Sequence, residues 1–126
     1  MQKLVRVVTN PSNILSYALG FVVAWFGLHE IFSPQDWVAF APPFLGDGTM
    51  VLGLVVLHGV VLTTCAILLV VNFHRKIAAG ILTLIFIEVV IGLLSQTGLS
   101  DIAVRDVGLG GMAMGLVFLP SRNPKR

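Results

Sequence analysis

The stretch MVLGLVVLHGVVLTTCAILLVV at residues 50–71, the turn NFHRK at 72–76 and the stretch IAAGILTLIFIEVVIGLL at 77–94 decide the fold of this chain. Each apolar run is close to the ~20 residues that cross a hydrocarbon core about 30 Å thick. A helix of a soluble bundle keeps a polar face that returns about every 3.6 residues. Segments 60–71 and 80–94 have no such face. The turn between the runs is too short to join anything but adjacent antiparallel helices.

Further out, residues 14–32 and 102–119 form runs of similar length and character. The expected architecture is therefore an all-α polytopic membrane protein. It is an antiparallel four-helix transmembrane bundle in one domain, residues 1–126, with an interfacial outer loop at 33–49. Composition agrees, with 56% hydrophobic residues and a mean hydropathy of +0.96. The first run is long and lacks a small-x-small cleavage site at its end, so it reads as a span and not as a cleaved signal peptide. The single cysteine, Cys65, lies mid-span. It has no intramolecular disulfide partner and no CxxC mate, which excludes thiol–disulfide chemistry of the four-helix vitamin K epoxide reductase type. A small buried hydrophobe is its expected role.

The net charge of +2 is small, but its distribution is informative. Lys3 and Arg6 precede the first run, Arg75 and Lys76 occupy the middle turn, and Arg122, Lys125 and Arg126 follow the last run. Loops 33–49 and 95–101 contain no Lys or Arg and carry Asp36, Asp47 and Asp101. The positive-inside rule then places both termini in the cytoplasm of a multi-pass protein of the cell (inner) membrane. The basic residues are a topology signal, so nucleic acid is not an expected partner.

Against this background stand His29, Glu30, His58, Glu88, Arg105 and Asp106. One charge at the centre of a span costs roughly 2.5–3.5 kcal/mol even on the lenient insertion scale, so such groups are expected to meet in the interior. With about 1.5 Å of rise per residue, His58 lies about 12 Å, Glu88 about 9 Å and Arg105 about 5 Å below the outer ends of their runs. Glu30 stands near the outer end of the first run. Every run thus sends a polar group into the outer half, and no charge is expected buried in the inner half. Arg105 has Glu88 or Glu30 as candidate partners, because a guanidinium forks onto a carboxylate. Asp106, about 100° further around the helix, is free to meet another neighbour. The surplus acid must be satisfied by His58, protonation, water or a ligand. Each member also has a plain structural reading. A buried ion pair can fix helix register, His58 alone can be a satisfied core histidine, and His29 at the interface can be solvated.

Ser12 or Asn13 is the expected N-cap of the first helix. Ser16, Gly20, Ala24 and Gly27 line one of its faces, and Gly111 and Gly115 stand in GxxxG register in the last run; both patterns suit close helix packing. The loop 33–49 holds Pro34, Trp37, Phe40, Pro42, Pro43 and Phe44 and reads as a re-entrant turn, an amphipathic turn or a lid. His74 belongs to the basic turn and reads as solvated.

Gly27-Leu28-His29-Glu30-Ile31-Phe32, then Trp37-Val38-Ala39-Phe40 and Pro42-Pro43-Phe44-Leu45, resemble the first helix and outer loop of the DoxX/DoxD-like membrane proteins. Arg105-Asp106-Val107-Gly108-Leu109-Gly110-Gly111 resembles the last-helix signature of that family. Glu30 stands roughly where many members carry a lysine, so no role carries over to it. The resemblance implies a four-helix fold and contact with the quinone pool; thiosulfate chemistry is not implied.

Three functions compete. The first is a redox-associated membrane subunit that binds a quinone or lipid headgroup at Glu30, His58, Glu88, Arg105 and Asp106. Arg105 orients a carbonyl oxygen, while Glu88, His58 or Asp106 exchanges protons. The second is a non-catalytic accessory subunit whose glycine faces dock another membrane protein. The third is a small proton-linked transporter. The expected partners are the bilayer, a membrane or peripheral redox protein that supplies electrons, and a second copy of the chain. No metal site is expected: bis-histidine haem ligation by His29 and His58 is disfavoured by their depth difference of about 8 Å.

Overall fold

The computed structural model describes residues 1–46 and 48–120. Asp47 of the outer loop and the basic Arg122, Lys125 and Arg126 lie outside the described residues. The described residues are mostly helical, with no strand among them. A short helix α1 (Gln2–Val8) leads into four long ones: α2 (Pro11–Phe32), α3 (Thr49–Val70), α4 (Arg75–Thr97) and α5 (Asp101–Phe118). Two 3₁₀ segments, Pro34–Phe40 and Pro43–Leu45, fill the loop between α2 and α3.

Local chemistry sets each boundary. Asn10, not Ser12 or Asn13, caps α2: its Oδ1 accepts from Ser12 N at 3.0 Å, and Pro11 takes the first helical position. Proline fits there because that N–H has no helical partner and its φ is already helical. Pro34 then ends the helix, since the residue before a proline avoids the α region. Between α3 and α4 the chain reverses through Asn72 (φ 56°) and His74 (φ 47°) in the left-handed region. Gly98 (φ 69°) stops α4, as glycine does at helix C-termini. Ser100 opens α5 by accepting from Ala103 N at 3.3 Å.

α2 packs chiefly on α3, and α4 chiefly on α5. In the first pair Gly27 faces Gly59 and Gly20 faces Ala66 and Val70, so the partners run in opposite directions. In the second, Gly110 faces Phe86 and Arg75 reaches Pro120. Leu19, Val23, Leu62, Ala66, Leu82 and Leu116 form the buried centre where the pairs meet. The bulkier apolar groups face outward: Phe21 is 72% exposed, Trp25 63% and Leu84 70%. Apolar exposure on this scale marks a surface meant for something other than water. Small buried residues beneath it are the usual basis of helix contact in lipid.

Three helices, α2, α3 and α4, are long and apolar enough to cross a membrane. α5 is 18 residues long but carries Asp101, Arg105 and Asp106 in its first two turns. Two expectations need correction. A Cβ at Gly111 or Gly115 would meet nothing within 4 Å, so the GxxxG pair does not seal a contact within the chain. His74 is exposed, as expected, but the expectation that no charge is buried in the inner half fails at Arg75. Arg75 begins α4, is only 3% exposed and donates from Nη2 to the Pro120 carbonyl at 3.0 Å. Its Nε and Nη1 have no hydrogen-bond partner among the described residues.

Candidate functional site

Glu30 lies in the last turn of α2 and is 5% exposed. A carboxylate there meets the negative end of the helix dipole, so it needs a cation or a donor. His58 of α3 supplies the donor: its Nδ1–H donates to Glu30 Oε2 at 2.7 Å. The two are held together by the backbone beneath them. A Cβ on Gly59 would stand 2.7 Å from the Gly27 carbonyl and 2.9 Å from Glu30 Cβ, so only glycine permits this approach. With Nδ1 committed to Glu30, the other ring nitrogen, Nε2, is buried and has no partner among the described residues.

Arg105 and Asp106 enter from the second turn of α5. Asp106 is 4% exposed, and Arg105 Nε donates to its Oδ1 at 2.8 Å. This corrects the expected pairing, because Arg105 binds its chain neighbour and not Glu88 or Glu30. The arginine also lies on the Phe26 ring of α2, with Cζ 4.5 Å from the centroid. The guanidinium therefore makes two contacts at once, a cation–π contact to α2 and a hydrogen bond to the adjacent aspartate. Glu88 of α4 makes no hydrogen bond or salt bridge among the described residues.

All five groups line one cavity of about 360 Å³. This falls within the range of about 300–1,000 Å³ typical of small-molecule sites, which are mainly apolar with a few convergent polar groups. The remaining wall is apolar, with Leu54 and Val55 of α3, Val89 of α4 and Ile102 of α5. A smaller void of about 50 Å³ shares Glu30, His58, Arg105 and Asp106 and is bounded by Val23, Phe26 and Leu62.

The outer loop closes the cavity from one side. Trp37, Phe40, Ala41, Pro42 and Leu45 line it, which favours the lid among the readings of 33–49. His29 is exposed and does not line the cavity; its Nδ1 accepts from Trp37 Nε1 at 3.1 Å and so fastens the lid to the end of α2. Sequence reasoning missed Trp37 as a wall residue and Phe26 as the seat of Arg105. It also missed Gly59, although a glycine directly after a mid-span histidine was the available signal. Among the described residues no cluster of His, Cys, Asp and Glu has the geometry of a metal site.

No protein-family model matches the chain, and neither a curated protein nor a solved structure is significantly similar to it.

Proposed function

We propose that the chain is a DoxX-like integral membrane subunit of a redox system, whose cavity binds the polar head of an amphiphile, a quinone ring or a lipid headgroup. The observation that carries this reading is the convergence of Glu30, His58, Glu88, Arg105 and Asp106 on one largely apolar cavity. In this reading α5 completes an antiparallel four-helix transmembrane bundle. Arg105 and Asp106 are tolerable there because they line the cavity, and Asp101 stands at the outer end of the helix. His58 Nε2 and the guanidinium of Arg105 contact the head, and Glu88 exchanges a proton with it. Cys65 is buried and alone, so electrons come from a partner protein.

The test compares wild type with Glu88→Gln and His58→Gln in one detergent, by monodispersity and by mass spectrometry of copurified lipid and quinone. Both variants preserve size and hydrogen-bonding ability, so the fold should lose no more than about 1–2 kcal/mol. Ligand content should fall sharply in each, because an amide does not titrate in the working range. Unchanged ligand content in both variants would remove the site.

The membrane is the cell (inner) membrane, and both termini are cytoplasmic, with the cavity in the outer half. Cysteine introduced at Leu99 should react with an impermeant thiol reagent in intact cells, and cysteine at Lys76 should not. Labelling of Lys76→Cys from outside reverses the orientation.

One observation favours a second reading, that of an accessory subunit. Gly108, Gly111 and Gly115 of α5 face open space, a surface on which another membrane helix, of a partner or of a second copy, packs closely. Wild-type ligand content and partner-coupled activity in both site variants would support this reading over the first.

A further inference from the structure

We propose that the ligand of this cavity is a cation: an ammonium group carried on an apolar body, as in an amine-bearing lipid headgroup. The inference rests on the reading of the cavity as a ligand site and goes on to its chemistry. It follows from which charges are already satisfied. Arg105 and Asp106 answer each other at 2.8 Å, and His58 and Glu30 at 2.7 Å. Glu88 is left over. The only permanent cation on the described wall, Arg105, is bonded to Asp106 and seated on Phe26, and makes no ion pair with Glu88.

The sign of the cavity does not depend on His58. Three carboxylates, Glu30, Glu88 and Asp106, share the wall with one arginine; with the three acids ionised the interior is net negative in either state of the imidazole. In a medium of low dielectric an added anion is repelled strongly. Glu88 is itself exposed, and a neutral ligand that covers it takes away its water without giving it a partner. A cation satisfies it.

The rest of the wall suits the same class. Trp37 and Phe40 stand side by side with ring centroids 5.9 Å apart and planes tilted by 53°, and both line the cavity with Glu88. Aromatic faces attract an ammonium within about 6 Å, most strongly when water is excluded. Leu54, Val55 and Ile102 then receive an apolar body. A quinone has no group that answers Glu88 except through a proton, so the headgroup is the favoured occupant.

The experiment titrates purified full-length protein, in a neutral detergent, with decyltrimethylammonium, 1-decanol, decanoate and decylubiquinone, using calorimetry. Decyltrimethylammonium should bind about ten-fold or more tighter than decanol, the range of a charge-assisted contact, and decanoate weakest of all. Glu88→Gln should erase the advantage of the cation while leaving decanol binding in place, and Glu88→Asp should keep most of that advantage. Equal binding of cation and alcohol, or a cation preference that survives Glu88→Gln, overturns the proposal. Tighter binding of decylubiquinone than of the ammonium also overturns it but leaves the cavity as a ligand site. Failure of all four probes to bind overturns the cavity reading itself, and the cation with it.

Discussion

Gly59→Ala and Gly27→Ala are expected to destabilise the protein by about 2 kcal/mol net, whereas Gly111→Ala and Gly115→Ala should purify like wild type. A single methyl group separates these outcomes. At Gly59 it would stand 2.7 Å from the Gly27 carbonyl, and at Gly27 2.8 Å from the Gly59 carbonyl. Backbone cannot swing aside as a side chain can, so α2 and α3 must part. Overpacking costs about 1–3 kcal/mol in well-packed cores, and here the upper end applies because the Glu30–His58 pair lies over the same contact. The gain in helix propensity from Gly to Ala, about 1 kcal/mol, offsets only part of that loss. Thermal denaturation in detergent, followed by the fraction remaining monodisperse, measures the difference. Wild-type behaviour of Gly59→Ala would disprove the close approach.

The second large effect concerns Arg105. Arg105→Ala should destabilise the protein by about 3 kcal/mol, because it strands the buried carboxylate of Asp106. The figure lies at the low end for a broken buried pair, since the arginine side chain is 41% exposed. The loss of stacking on Phe26 adds to it. Adding Asp106→Asn to Arg105→Ala removes the stranded charge and should recover much of the loss. Adding Glu88→Gln should recover little. The reverse pattern would show that Glu88, not Asp106, is the true counter-charge. Asp106→Asn alone should be milder than Arg105→Ala, because the arginine it frees still reaches the cavity.

Much of the architecture was legible in the runs themselves. Helices α2, α3, α4 and α5 lie within about three residues of the apolar runs at each end, because lipid-length hydrophobicity is a coarse and redundant signal. Their caps were less legible. Asn10 displaced Ser12 and Asn13 because Pro11 suits the first helical position, a local rule stronger than the start of the apolar pattern. Helix α1 has no buried residue, so burial left no pattern in its sequence to read.

The candidate residues were legible because ionisable groups are scarce in such a chain, but their pairing was not. Sequence offsets along a helix supply depth and angle; they do not supply rotamers. Arg105 bonds to Asp106 while it lies on Phe26, and nothing in the spacing of α5 announces that ring. The glycines divide. The small-residue face of α2 was legible, and its Gly20 and Gly27 do sit against α3, whereas Gly111 and Gly115 fit the better-known pattern and meet nothing among the described residues, and Gly59 belonged to no pattern.

The unequal packing of the helices has a mechanical consequence. The closest backbone contact lies within the α2–α3 pair, and α4–α5 contact is likewise stronger than contact from one pair to the other. The cavity draws its walls from both pairs, so it lies across the more thinly packed seam between them. A guest that touches Glu30 and His58 on one side and Glu88 on the other acts as a rivet across that seam. By linkage, whatever it gains in binding reappears as resistance to separation of the two halves, by RT ln(1 + [L]/Kd). Occupancy and rigidity are then one quantity read in two ways, and the empty protein should be the one that comes apart first in harsh detergent.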